Sequence, residues 1–182
     1  MSISRPPLTP PSVPVLETGL LRLRGHRLSD LEACLALWSH PDVTRFIGGR
    51  PVTPEEIWLR LMRYAGHWAL LGHGYWVITL AASDTVIGEV GLTDFLRDLT
   101  PSLAGKLELG WVLDPHYQGR GLAQQAVQAV LGYATTAWPD MDRVCMIDPD
   151  NTASIRLAQR CGFKPYAETT YKTAPVILFE HK

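Results

Sequence analysis

Apolar residues recur along this chain at two different periods. Leu28, Leu31, Leu35 and Trp38 follow one another at three- and four-residue steps, the spacing that keeps side chains on one face of a helix. Ser29-Asp30-Leu31-Glu32 in front of them reads as a capping box, and His40-Pro41 ends the run. A second series, Ile57, Leu61, Tyr64 and Trp68, follows Thr53-Pro54-Glu55-Glu56, a box with proline at the first helical position, and stops at Gly72 to Gly74. Elsewhere short β-rich runs predict strands over Leu20–Arg24, Tyr75–Leu80, Val86–Thr93, Leu107–Leu113, Arg143–Ile147, Tyr166–Tyr171 and Pro175–Phe179. Ala82 to Thr85 is the turn of an antiparallel hairpin. Further helices are expected from Gly119–Gly121 to about Ala137 and over Thr152 to Cys161. Two early helices, a meander, then strand–helix–strand–helix and a closing strand pair make a mixed α/β order.

A length of 182 residues suits one domain, expected over residues 15–182, behind a flexible Pro- and Ser-rich tail from Met1 to Pro14. The tail lacks the apolar centre of a signal peptide, and no run reaches the roughly 18 apolar residues of a membrane span. With a formal net charge of −1 and no long basic run, neither nucleic acid nor an anionic membrane is expected as partner. Cys34, Cys145 and Cys161 are odd in number and far apart, which fits a reduced, cytoplasmic setting with buried thiols better than a disulfide framework. No Cys/His spacing suggests a metal, and His116 is expected to be a solvated loop residue. Five tryptophans, Trp38, Trp58, Trp68, Trp76 and Trp111, are expected in the core.

The stretch with chemistry is Asp114-Pro115-His116-Tyr117-Gln118-Gly119-Arg120-Gly121-Leu122-Ala123, placed between a strand and a helix. Two glycines and an alanine let a ligand approach the backbone, and the free N–H groups of a helix start attract an anion such as a phosphate. On the glycines alone a ligand-free tight turn is the better account. The phosphate loop GxxxxGK[ST] is absent, and GxGxxG fails because position 124 is Gln124.

Gln118-x-x-Gly121-x-Ala123 resembles the Q/R-x-x-G-x-G/A signature of the GNAT acetyltransferase superfamily. Asn151-x-x-Ser154 followed by Arg160-Cys161-Gly162-Phe163 resembles that family's later helix and its closing Gly-Phe. Glu17-Thr18-x-Leu20 with Leu21 to Arg24, and Ile87 to Leu92, resemble the branch of ribosomal-protein N-terminal acetyltransferases. The likeness runs from about Leu16 to Phe179. It implies a mixed, mainly antiparallel sheet, flanked by helices, that splays between two central strands, here Leu107–Leu113 and Arg143–Ile147. It implies acetyl-CoA as co-substrate, with Val112 and Leu113 pairing with the pantetheine arm. Gln118, Gly119, Arg120, Gly121, Leu122, Ala123 and Gln124 would hold the phosphates, and Asn151 and Ser154 would lie near the arm. The segment Thr44 to Arg50 would wall the acceptor site, and the family habit allows a homodimer.

Acetylating an amine requires it neutral, whereas a lysine amine has a pKa of about 10.4 and an α-amine about 8. A base must therefore take a proton. Glu108, five residues before Leu113 on a central strand, is the candidate, with Glu89 on the preceding strand second. The backbone N–H at Val112 is the candidate donor to the developing oxyanion. Many family members carry a tyrosine acid where this chain has Ala158, so Ser154 becomes the candidate donor to sulfur. The expected activity is acetyl transfer from acetyl-CoA to a primary amine, on a protein N-terminus or a small molecule. The alternatives are a non-catalytic coenzyme A sensor and a structural domain whose glycine turn is only a turn.

Overall fold

A computed structural model describes residues 12–182, so the first eleven residues of the expected tail lie outside the described residues. The end of that segment is held. The Trp76 indole N–H donates to the Pro14 carbonyl at 2.7 Å, and Val13 packs on the core. The chain runs β1 (Leu16–Glu17), β2 (Leu21–Arg24), α1 (Leu31–Ser39), α2 (Pro41–Thr44), α3 (Pro54–Leu71), β3 (Tyr75–Leu80), β4 (Val86–Thr93), β5 (Leu107–Leu113), α4 (Leu122–Ala137), β6 (Arg143–Ile147), α5 (Thr152–Arg160), β7 (Lys164–Tyr171) and β8 (Ala174–His181). The strands form one sheet in the order β1-β2-β3-β4-β5-β6-β8-β7. All neighbours are antiparallel except β5 and β6. This is the mixed, mainly antiparallel sheet flanked by helices that was expected. β1 and α2 are too short for a periodic pattern to announce them.

Local chemistry explains most helix ends. At α3 the Thr53 Oγ1 accepts from the Glu56 N–H at 3.2 Å and the Glu56 carboxylate accepts from the Thr53 N–H at 2.8 Å. Gly72, at φ 72°, ends the helix in the left-handed conformation that glycine adopts without penalty. The box expected at Ser29 and Glu32 is not the one that forms. Asp30 accepts from the Arg27 N–H and is gripped by the Arg24 guanidinium at 2.8 and 2.9 Å. With the box closed between Arg27 and Asp30, Leu28 falls in a short 3-10 turn and is exposed instead of joining the helical face. Trp58 is likewise exposed, because it follows inward-facing Ile57 on α3. Among the described residues no helix is long and apolar enough to cross a membrane.

The two faces of β5 meet different layers. Leu107, Leu109 and Leu113 join the core built with α4, whereas Val112 packs with Trp38, Ile57 and Leu61 of α1 and α3. On that second face Glu89 of β4 is fully buried. The Trp38 indole and the Tyr64 hydroxyl each donate to its Oε2 at 3.0 Å, and His26 Nε2 lies 3.1 Å from its Oε1. Burial alone would push the Glu89 carboxyl up, but His26, the charge of Arg60 and the Trp38 N–H outweigh it and hold the carboxyl below its ordinary value of 4.5. Because the folded value is depressed, the stability this site contributes is present above 4.5 and is lost as pH falls through the folded value. Glu89→Ala strands the Trp38 and Tyr64 donors, and should cost about 1–3 kcal/mol for each donor left without a partner. Urea unfolding at pH 7 and in acid checks both points: the difference between wild type and variant should shrink in acid.

Candidate active site

Beyond Glu108 the sheet opens. β5 and β6 pair only at Leu107 with Arg143 and Glu108 with Val144. From there β5 stays with β4 as far as Leu113, and β6 stays with β8 as far as Ile147. Two bonds set the direction of every backbone group along β5. The Leu107 N–H donates to the Asp142 carbonyl on the β6 side, and the Asp114 N–H donates to Ile87 on β4. With no register shift between them, alternation turns the polar groups of 108, 110 and 112 toward β4 and those of 111 and 113 into the opening. This corrects the expectation for Val112: its N–H belongs to the sheet, and Trp111 takes its place beside Leu113 as the backbone facing the split.

The loop after β5 is built by its own side chains. Asp114 accepts from the His116 N–H at 2.9 Å and starts a single 3-10 turn, Pro115–Tyr117, with His116 exposed as expected. Gln118 is spent on the chain itself, its amide donating to the Leu113 carbonyl at 2.9 Å and tying the loop to the strand. Gly119 and Gly121 sit at φ 74° and 75°, with no atom within 4 Å of where a Cβ would stand. They serve backbone conformation and leave an open concavity. Gln125 is the first residue of α4 whose N–H finds a helical acceptor, Gly121. Among the described residues none accepts from the N–H groups of Leu122, Ala123 and Gln124, which are the free donors of the first turn. Arg120 is exposed beside them, its guanidinium 5.8 Å from the Tyr117 ring centroid. Free N–H groups, a helix start, a cation and space together fit a phosphate group.

A cavity of about 1070 Å³ occupies the split and continues over the α3 face. Its walls include 109–112 and 145–147, the parted ends of the two strands, with Glu108, Asn151 and Ser154. Arg45 to Gly49, in the segment between the first helices, also line it. The structure thus gathers Glu108, Val112, Asn151 and Ser154 around one cavity. Leu113, the last residue of β5, and residues 118–124 do not line it.

Asn151 caps α5 by accepting from the Ser154 N–H at 3.1 Å, which leaves its amide NH2 and the Ser154 hydroxyl without protein partners among the described residues. Ala158 is fully buried and offers no polar group. Glu108 is only 6% exposed, and Arg97 donates to both its oxygens at 2.6 and 2.7 Å. Arg97 is itself clamped between Phe95 and Tyr171, with ring centroids at 4.5 and 4.8 Å. A carboxylate has about four lone-pair sites, so two remain on Glu108 for another donor.

Sequence reasoning missed Tyr75. Its ring lies across Gly91 of β4 and its hydroxyl reaches Gly110 of β5, where any Cβ would collide with it. The ring also stacks on Tyr64 at 4.7 Å. Burial, then the charge of Glu108, push the hydroxyl well above its ordinary value of 10, so it stays protonated. Tyr75 lines the cavity beside Glu108 and is available as a donor. The readable signal was the pair of isolated glycines inside strands, which mark close approach.

Residues 21–164 match the family model described as Acetyltransferase (GNAT) domain. The chain is 28% identical over 151 residues to the uncharacterized N-acetyltransferase p20 of Bacillus licheniformis, covering 82% of each protein. The acetyltransferase from Agrobacterium tumefaciens superposes with a TM-score of 0.81 at 25% identity, over 94% of this chain and 95% of that one. RimL, the ribosomal L7/L12 alpha-N-protein acetyltransferase, solved in complex with coenzyme A, shares the fold with a TM-score of 0.75 at 16% identity, over 92% of this chain and 97% of that one. The splayed sheet, the glycine loop at its edge and these matches agree: the chain belongs to the GNAT acetyltransferase family and is an enzyme of acetyl transfer to an amine.

Proposed function

We propose that this enzyme uses acetyl-CoA as co-substrate and acetylates a primary amine, on a protein N-terminus or a small molecule, by direct attack on the thioester. The observation that carries this reading is the parting of β5 and β6, which turns the unpaired backbone groups of Trp111 and the N–H of Leu113 into the split, ahead of the free N–H groups that open α4. Acetyl-CoA would supply an activated acetyl group. The N–H groups of Leu122, Ala123 and Gln124, with Arg120, hold its phosphates. The backbone at Trp111 and Leu113, with the Asn151 amide, holds its arm like an added strand. Gln118 acts indirectly, by fixing Leu113.

Glu108 takes the proton from the amine through a lone pair that Arg97 does not use, and Arg97 keeps the carboxylate oriented. The Trp111 N–H, not that of Val112, is the backbone donor nearest in register to the reaction. Two hydroxyls, Ser154 and Tyr75, reach the cavity as donors to the leaving sulfur. The burial of Ala158 at the usual tyrosine position, together with the two-bond hold of Arg97 on Glu108, favours one second reading, a coenzyme A sensor without turnover.

Calorimetric titration with acetyl-CoA, and with a fragment lacking the pyrophosphate, tests the cradle. Binding should weaken sharply for the fragment and by about tenfold or more in Arg120→Glu, on the scale of a lost charge-assisted hydrogen bond. Equal binding of the fragment removes the cradle from the account. In steady-state assays by thiol release, Glu108→Gln should lower kcat by roughly 10²- to 10⁴-fold with acetyl-CoA affinity kept. An unchanged kcat would exclude Glu108 as base. Comparing Tyr75→Phe with Ser154→Ala assigns the proton donor, since the true donor loses kcat and the other does not. Tight acetyl-CoA binding with no turnover of any amine would select the sensor.

A further inference from the structure

We infer that the acceptor of this enzyme carries an oxyanion, a carboxylate or a phosphate, alongside its reactive amine. This rests on the acetyltransferase reading and deepens it. The cavity over the α3 face is lined by Arg45, Arg60 and Arg63. Among the described residues none of the three forms an ion pair. Three carboxylates lie on the same cavity, each already holding donors from the protein. Glu108 is held by Arg97, Asp94 accepts from the N–H groups of Leu96 and Gly105, and Asp148 accepts from the Asp150 N–H. Behind the wall, Glu89 is spent on Trp38, Tyr64 and His26. With Arg97 and Lys172 the cavity carries five cations against these three carboxylates, so positive charge is in excess where the acceptor must sit.

The aromatic walls point the same way. A polyamine or other multiply charged cation is ordinarily recognised by carboxylates and by aromatic faces. Here the faces are taken by the protein's own cations. The Arg60 guanidinium lies 3.7 Å from the Trp38 ring centroid, Arg45 lies 5.1 Å from Phe46, Arg97 covers Phe95, and Lys172 lies 5.5 Å from Tyr171. An incoming polycation meets repulsion and no free face.

Arg60 is also preorganised. Its stack on Trp38 fixes the plane of the guanidinium, a long 3.4 Å contact to the Tyr64 hydroxyl fixes its edge, and its Nε is buried without a partner. Burial opposes ionisation of Arg60, and the Tyr64 hydroxyl oxygen and, at longer range, the Glu89 carboxylate keep the guanidinium charged without a direct ion pair. Arg63 stands three residues further along α3, on the same side of the helix. Two guanidinium groups on one helical face, one fixed and one at the exposed rim, match the forked geometry that binds carboxylate or phosphate.

The test is a panel of matched amines at saturating acetyl-CoA, read as kcat/KM. β-Alanine is set against propylamine, phosphoethanolamine against ethanolamine, with spermidine as polycation. The oxyanion-bearing member of at least one pair should be preferred by about tenfold or more, and the pair with the larger ratio distinguishes carboxylate from phosphate. Arg60→Gln and Arg63→Gln should each reduce that ratio by about tenfold, the size of a charge-assisted contact. Arg63 is exposed, so its variant keeps the test valid if Arg60→Gln perturbs folding. Preference for spermidine or for the neutral amines overturns the inference, as does a preference that survives both substitutions. Calorimetry with acetyl-CoA on the same samples separates the two levels: lost coenzyme binding would count against the acetyltransferase reading, whereas retained binding with the wrong amine preference counts against this inference alone.

Discussion

The parting of β5 from β6 after a two-residue parallel ladder is the constraint on which the rest of the site depends. A sheet that opens in its middle leaves backbone N–H and C=O groups without partners inside the fold, and such groups are costly to leave unmet. Each strand stays paired on its outer side, to β4 and to β8, so the opening is rigid rather than frayed. The split therefore behaves as a vacant strand position with fixed edges. At its end the chain turns directly into the start of α4, and Gln118 ties that turn to the last carbonyl of β5. An elongated ligand with an anionic head and a hydrogen-bonding arm suits both parts at once.

The α1 and α3 face of the sheet supplies the chemistry. Glycines at 91 and 110 remove side chains from two neighbouring strands, and Tyr75 lies in the trough they leave. The same face carries Glu89 and Glu108, which are two carboxylates in two environments. Glu89 is fully buried and receives donors from α1, α3 and His26, so it holds those helices on the sheet. Glu108 has one cationic partner and borders the cavity. The difference follows from position along antiparallel strands and not from residue type, since the Coulomb and hydrogen-bond terms around each are set by what packs above it.

Cation–aromatic stacking then shapes the acceptor side. Arg45, Arg60 and Arg97 each rest on an aromatic ring, which orders long side chains that would otherwise cost conformational entropy to bring into one place. The rings are thereby hidden and the guanidinium edges are presented. Charge at the mouth of the site is thus a product of packing between α3, the segment 45–49 and the loop after β4, three elements distant in sequence.

Much of this protein was legible in its sequence, for reasons that are local. Helix periodicity, the Thr53–Glu56 box, the stop at Gly72, the strand runs and the glycine loop after β5 are each decided by residues within a few positions of one another, and they formed where expected. The membership of the family was carried by such a local loop and by the order of motifs around it. What only the tertiary structure decided depends on partners far apart in the chain. Asp30, paired with Arg24, closed the first box on Arg27 instead of Ser29; two backbone bonds at opposite ends of β5 turn the polar groups of Trp111, and not those of Val112, to the opening. Arg97 occupied Glu108, and Gly91 and Gly110 admitted the ring of Tyr75 from β3, the next strand of the same sheet. Local interactions are written in the spacing of residues, whereas strand parity, ion pairing across a cavity and the filling of a trough are settled only when the sheet closes its register and brings those residues together.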